Sequence, residues 1–153
     1  MTSCREAIGR QVLSRASAEH LGEVRHFVTD ASEHRVVQLV VRTGRTDSLA
    51  GWDAVTGFGP DAVLVQDSSS LRVPESDDEK SDAAGRRDPL GKVLLNDEGN
   101  GAGHVTDAEF DESSGVLQSL SADQMTVDAS RIRGIGSYAV VVEASDEARA
   151  LLG

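Results

Sequence analysis

The stretch GWDAVTGFGPDAVLV, from Gly51 to Val65, decides the fold class of this chain. It predicts a strand, a glycine-rich turn and a second strand, because apolar segments flank the Gly57-x-Gly59 motif on both sides. A related stretch, DASRIRGIGSYAVVV, runs from Asp128 to Val142 and again places G-x-G before a run of valines. The recurrence of this pattern indicates a duplicated β protein.

The segments that precede this stretch recur as well, at offsets of about 80 residues. Loops absorb the small differences in length, as expected when strands keep their register. The matched segments are Ile8-Gly9-Arg10 with Leu90-Gly91-Lys92, Gly22-Glu23-Val24 with Gly103-His104-Val105, Asp30 with Asp111, and Val36–Val40 with Val116–Leu120.

The chain of 153 residues is therefore expected to form two small halves joined by an acidic segment. Residues 1–73 make the first half and residues 89–153 the second. Residues 74–88 predict an exposed, flexible linker, since their charged side chains leave little apolar surface to bury. The last residues, Ser145 to Gly153, predict a short helix with Ser145 as its N-cap. Each half is small enough that we expect the two to pack together.

Composition excludes several classes of partner. The net charge is −11, from 26 acidic and 15 basic residues, so the molecule repels nucleic-acid phosphates and anionic lipid. No apolar run approaches the roughly 20 residues of a membrane span, and the N-terminus lacks a signal-like apolar region. We expect a soluble cytoplasmic protein that binds no DNA and does not insert into membranes. Cys4 is the single cysteine, which excludes an internal disulfide and predicts an incidental thiol.

One loop has a spacing that suggests cation binding. Within Asn96 to Asp107, Asn96, Glu98 and Asn100 stand at the first, third and fifth positions of a calcium loop, and Asp107 stands at the twelfth. The template prefers Asp first and Glu last, and here a strand rather than a helix leads in. A hairpin turn is therefore the favoured interpretation, with cation binding left open.

The remaining motifs and residues that could form a functional site are expected to have structural roles. The motifs Gly57-x-Gly59 and Gly134-x-Gly136 lack a third glycine and a following helix, so they indicate tight turns rather than phosphate loops. Trp52 stands in an apolar strand, which favours a core or seam position over an exposed hot spot. The histidines His20, His26, His34 and His104 lack metal-ligand spacing. We assign no catalytic, cofactor-binding or metal-binding residue and expect no enzyme activity.

The repeat resembles the PRC-barrel family, which includes a domain of the photosynthetic reaction-centre H subunit and the ribosome maturation factor RimM. The matching features are the apolar-Gly-basic starts, Gly-x-Val, a strand ending in Asp, a valine-rich strand, the Trp52 strand and Asp61-Ala62. The second half departs from the pattern, because Ala129 stands near the place of the tryptophan and Ser137-Tyr138-Ala139 replaces Asp-Ala.

The resemblance implies an all-β fold of two tandem small PRC-type β-barrels packed together, with the short C-terminal helix added. It also implies a non-catalytic protein-interaction module that scaffolds or regulates a larger cytoplasmic complex. The partner is a protein of unknown identity, and homodimerisation stays open. The alternative is an RNA-processing or ribosome maturation accessory factor, because analogy of fold cannot choose a partner.

Overall fold

The computed structural model describes residues 1–123 and 125–144, and these form a mostly β structure with two sheets. The predicted helix at Ser145 to Gly153 lies outside the described residues. The all-β expectation is confirmed for the part of the chain that is described.

The strands run as follows in chain order. Up to the acidic segment they are β1 (Thr2–Ser3), β2 (Gln11–Ser14), β3 (His20–Asp30), β4 (Arg35–Thr43), β5 (Thr46–Gly51), β6 (Val55–Phe58), β7 (Val63–Val65) and β8 (Leu71–Arg72). After it they are β9 (Val93–Asn96), β10 (Gly101–Phe110), β11 (Leu117–Ala122), β12 (Thr126–Asp128), β13 (Ile132–Ile135) and β14 (Ala139–Val142). Two short α-helices, α1 (Cys4–Ala7) and α2 (Asp77–Ala83), and three 3-10 turns, Trp52–Ala54, Ser68–Ser70 and Ala129–Arg131, complete the description.

The two sheets have the same strand order. The first runs β6-β7-β2-β3-β4-β5 and ends in β8, whereas the second runs β13-β14-β9-β10-β11-β12, with β1 added beside β10. Among the residues described, each sheet has one parallel pair, and it falls at the same place in both, between β2 and β7 and between β9 and β14. The duplication inferred from sequence is therefore present in the topology.

Backbone hydrogen bonds repeat along with the strands. The Gly9 N–H donates to the Val24 carbonyl at 2.7 Å, and the Gly91 N–H donates to the Val105 carbonyl at 2.8 Å. The aspartates that end the long strands build the same turn. Asp30 accepts from the N–H and hydroxyl of one serine at 2.8 and 2.7 Å, and Asp111 does so at 2.8 and 2.6 Å.

Each sheet curls but stays open. Strands β5 and β6 lie near opposite ends of the first sheet, yet only the three residues Trp52–Ala54 join them. Three residues span at most about 11 Å, so the sheet must bend back on itself. Among the described residues no pairing joins β6 to β5 or β8, and the second sheet has the same open path. The predicted pair of closed barrels is thus not seen as two hydrogen-bonded rings.

The acidic segment is not the exposed linker that its composition predicts. Ser76 and Glu79 form a capping box at the start of α2, and this helix packs on the first sheet through Ala83. Ala83 joins a small apolar cluster with Val28, Val40 and Leu49, all of which are buried. The segment therefore covers the outer face of the first sheet.

In the part of the chain that the structure describes, a helix packs on the outer face of the first sheet only, and the residue types of the second sheet agree with this. The positions equivalent to Val28, Val40 and Leu49 are Glu109, Ser121 and Thr126, which are partly or fully exposed. A sheet face that is solvated takes polar residues, whereas one buried by a helix takes apolar ones. The nearly continuous apolar run of β4 follows from burial on both faces.

One aromatic cluster joins the two halves. Phe110 of β10 has no exposed surface, and its ring centroid lies 5.1 Å from Phe58, 5.4 Å from Phe27 and 5.7 Å from Trp52. The contacts with Phe58 and Trp52 are edge-to-face, a favoured arrangement of aromatic rings. Trp52 is 7% exposed, which confirms the predicted core or seam position. A single apolar core therefore spans both halves.

A backbone bridge lies beside this aromatic cluster. The Val36 N–H donates to the Gly115 carbonyl and the Leu117 N–H donates to the His34 carbonyl, both at 2.8 Å. The two bonds flank an antiparallel bridge between Arg35 and Val116. Val36 pairs with Thr29 and Leu117 pairs with Phe110, each one residue before the equivalent aspartates, so Leu117 is the counterpart of Val36. The sequence match of Val116 with Val36 was wrong by one residue. We call the aromatic cluster and this bridge together the seam.

Replacing Phe110 by Ala tests whether the halves share one core. We expect the free energy of unfolding to fall by about 3–5 kcal/mol, since a buried ring leaves a cavity among three others. Phe110→Leu keeps much of the volume and should cost about 1–2 kcal/mol. Urea unfolding followed by tryptophan fluorescence and circular dichroism measures both variants. One cooperative transition is expected, and two separate transitions would contradict a shared core.

The Asp111 turn predicts a dependence of stability on pH. Hydrogen bonds from the Ser113 hydroxyl and the N–H groups of Ser113 and Ser114 lower the pKa of Asp111 to about 2. The Asp111 carboxylate therefore stays charged to a lower pH in the folded state than in the unfolded state. Its contribution to the free energy of unfolding is present above the ordinary pKa of 3.8 and is lost as the pH falls towards about 2. Asp111→Asn should therefore reduce stability near neutral pH and should match the wild type near pH 2. Asp53→Asn, which removes a charge from an exposed position, provides the control in the same urea titrations.

Candidate functional site

The hairpin of β6 and β7 carries a cleft with apolar walls. The cleft has a volume of about 420 Å³ and is lined by Gly57, Phe58, Gly59, Pro60, Asp61, Ala62 and Leu64. We call it the hairpin groove. It coincides with the glycine-rich turn singled out in the sequence, so the turn glycines do shape a concave surface.

The absence of a side chain at Gly57 leaves one apolar wall of the groove open. A Cβ at Gly57 would lie 3.7 Å from the Leu64 side chain, so the missing side chain uncovers Leu64. Gly57 lies at an irregularity in the pairing of β6 with β7, between Val55 and Gly57. Irregularities of this kind are common at the edges of sheets.

Arg10 holds the groove in shape. Its guanidinium donates to the Gly59 carbonyl at 2.9 Å and lies over the Phe58 ring, 5.6 Å from the centroid. The Gly59 N–H donates to the Ala62 carbonyl at 3.1 Å and closes the turn. The groove is thus held in place by contacts with the body of the sheet.

The equivalent hairpin of the second half is built differently. Its turn repeats the bond from the Gly136 N–H to the Ala139 carbonyl at 3.0 Å, but its tip carries Tyr138, which is 72% exposed. The counterpart of Arg10 is Lys92, and Lys92 donates instead to the carbonyls of Gly85, Arg86 and Asp88. Burial is the main cause that lowers the pKa of Lys92.

A second cleft, of about 570 Å³, lies between α2 and the first sheet. Its charged groups already satisfy one another. Asp82 is 4% exposed and accepts four hydrogen bonds of 3.0–3.1 Å from the guanidinium groups of Arg86 and Arg87. The lining residues are Asp30, Val37, Gln38, Asp78, Glu79, Asp82, Arg86 and Arg87.

Glu79, at the start of α2, forms an ion pair with Arg72 of β8 and so attaches the helix to the sheet. The hydrogen bond from Arg72 is also the largest cause that lowers the pKa of Glu79 to about 2. These interactions hold α2 against the sheet and leave few polar atoms of the second cleft for a ligand.

The candidate cation loop is a hairpin turn between β9 and β10. The side-chain carbonyl of Asn96 accepts from the N–H groups of Glu98 and Asn100, both at 3.0 Å. Asp107 lies in the middle of β10, where it accepts from the Ser3 hydroxyl at 2.6 Å and from the Arg5 N–H at 3.0 Å. The hairpin prediction is confirmed. Within the described ranges, no group of three or more His, Cys, Asp or Glu side chains is placed to hold a metal.

The histidines are not brought together into one site. His26 pairs with Asp88 at 2.8 Å, and the His34 ring donates to the Ile132 carbonyl at 3.0 Å. The first contact joins β3 to the end of the acidic segment, and the second crosses between the halves. His20 and His104 are exposed.

Cys4 is fully buried, which a sequence position next to the terminus did not suggest. Burial raises the pKa of its thiol well above the usual range, and the carboxylates of Asp88 and Asp107 raise it further. A nucleophilic cysteine requires the opposite shift, because the thiolate is the reactive form. The side chain instead fills part of the core between the two halves.

Neither protein-family models nor curated protein sequences contain a match to this chain. Among the described residues there is no helix with the length and apolar character needed to cross a membrane.

Asp82 can be tested as the residue that fixes α2. Asp82→Ala removes four hydrogen bonds, and we expect a loss of about 1–3 kcal/mol, because Arg86 and Arg87 keep partial access to water. Limited proteolysis should then cut within residues 74–88 faster than in the wild type. Asp78→Ala removes a single exposed contact to Arg86 and should leave the cutting rate nearly unchanged.

Proposed function

We propose that this protein is a non-catalytic interaction module of the PRC-barrel type, which binds an extended segment of a partner protein at the hairpin groove. The observation that supports this most directly is the position of the groove. It lies on β6, and β6 is the terminal strand of the first sheet.

A terminal strand offers backbone N–H and C=O groups for pairing with another chain. An incoming extended segment gains hydrogen bonds from that edge, and a neighbouring pocket selects its side chains. The hairpin groove supplies such a pocket through Phe58, Pro60 and Leu64. Recognition of this kind needs surface complementarity and no chemical step.

Charge defines the partner further. Asp53 and Asp61 are exposed on the connections at either end of β6, and the whole chain has a net charge of −11. A segment that alternates apolar and basic side chains would fit the groove and these carboxylates together. Opposite charge also speeds the encounter of partners, and this effect weakens with added salt.

The two PRC-type halves have separate tasks in this proposal. The shared strand order and the seam make a firm body, and the first half exposes the groove on it. The module would act within a larger cytoplasmic assembly. A role as an RNA-processing or ribosome maturation accessory factor is the alternative, to be decided by the same experiment.

The test compares two variants that occupy equivalent positions in the two halves. Leu64→Asp places a charge in the hairpin groove, whereas Val141→Asp makes the same change at the equivalent position of β14. After circular dichroism confirms that both are folded, wild type and variants are used in affinity capture at low salt. Captured proteins are identified by mass spectrometry, and each direct partner is confirmed with purified components. NMR then locates the bound segment.

We expect a protein partner that binds directly. Leu64→Asp should weaken its affinity at least tenfold, whereas Val141→Asp should leave the affinity unchanged. Amide shifts should concentrate on Val55–Phe58. A partner retained equally by both variants would refute the groove as the site. Co-sedimentation with ribosomal subunits, without a direct protein partner, would favour the alternative.

A further inference from the structure

The repeated pattern begins at Ile8 and again at Leu90, and the short segment before each start packs on the long strand of the other half. At the N-terminus, β1 pairs with the end of β10, with Thr2 opposite Phe110. Asp107 of β10 accepts from the Ser3 hydroxyl at 2.6 Å and from the Arg5 N–H at 3.0 Å. The first residues of the first half thus belong to the second sheet.

The segment before the second half makes the reciprocal contact on β3. The N–H and the hydroxyl of Thr29 both donate to the Arg87 carbonyl, at 3.3 and 2.5 Å. The His26 ring contacts the Asp88 carboxylate at 2.8 Å. His26 and Asp107 are equivalent, because each lies four residues before the aspartate that ends its strand. The leading segment of each repeat is therefore bonded to the long strand of the other repeat.

The side chains across the seam are complementary rather than identical. Trp52 lies against Gly115, where an added Cβ would come within 3.0 Å of the indole ring. At the equivalent positions, the small residue is Ala129 and the large one is His34. Phe110, which enters the aromatic cluster, has Thr29 as its counterpart. Each half is shaped for the other and not for a copy of itself.

We propose that the seam is a complete protein–protein interface, at which the first repeat binds the second as two subunits of a fused heterodimer. The exchanged segments, the backbone bridge and the aromatic cluster hold the halves together without the covalent connection. The pairing of large with small residues selects first-with-second association over self-association. This inference concerns the seam and is independent of what binds in the hairpin groove.

The test uses the full chain with a specific protease site inserted after Val73, which is 63% exposed. After cleavage, we expect both fragments to elute together in a one-to-one complex with an unchanged circular dichroism spectrum. The urea midpoint of the cut protein should rise with protein concentration, because unfolding then releases two chains. The uncut protein should show no such dependence.

Two glycine variants separate the seam from backbone strain. Gly115→Ala and Gly99→Ala both place alanine at a positive φ, of 79° and 85° respectively, but only the Gly115 Cβ meets the other half. In the cut protein, Gly115→Ala should weaken fragment association at least tenfold more than Gly99→Ala does. Equal effects of the two variants would contradict the role assigned to the seam.

Mixed refolding from urea completes the experiment. Recovery of the one-to-one complex at micromolar concentration supports the inference. Fragments that elute as separate folded species, that form homodimers, or that stay unfolded when mixed would overturn it.

Discussion

The insertion of Phe110 among Trp52, Phe58 and Phe27 is the contact on which the rest of the molecule depends. Neither half has enough apolar surface to form a large core by itself, and aromatic residues are scarce in the sequence. Concentrating four of the five rings at one place lets two open, curled sheets share one interior. Directional ring contacts also fix how the sheets are oriented, which valine and leucine alone would specify less sharply.

The duplicated strands have diverged according to what covers them. The outer face of the first sheet is apolar because α2 lies on it, and the equivalent face of the second sheet is polar because it meets solvent. The same reasoning applies across the seam, where Trp52 faces Gly115 and the second copy has Ala129 in place of tryptophan. The difference between the two copies at this position thus has a packing explanation.

The proposed function follows from what remains unoccupied after these contacts are made. Charged groups of the second cleft pair with one another, and the Cys4 thiol is buried with a raised pKa. The hairpin groove, by contrast, lies on a terminal strand and presents apolar walls to solvent. A binding module uses such a surface without needing groups arranged for chemistry.

The sequence alone determined the strands, the turns and the repeat, because alternation, β-branched runs and turn aspartates act over a few residues. The matching turns at Asp30 and Asp111 are examples. Only the tertiary structure decided that residues 77–83 form a packed helix, that Cys4 is buried, and that the leading segment of each repeat packs on the other. Each depends on residues distant in the chain. The helix that carries Asp82 packs on a face of the first sheet, and Thr29 hydrogen-bonds to the Arg87 carbonyl. Composition predicted a linker because a local count of apolar residues cannot show that another surface is available to bury them.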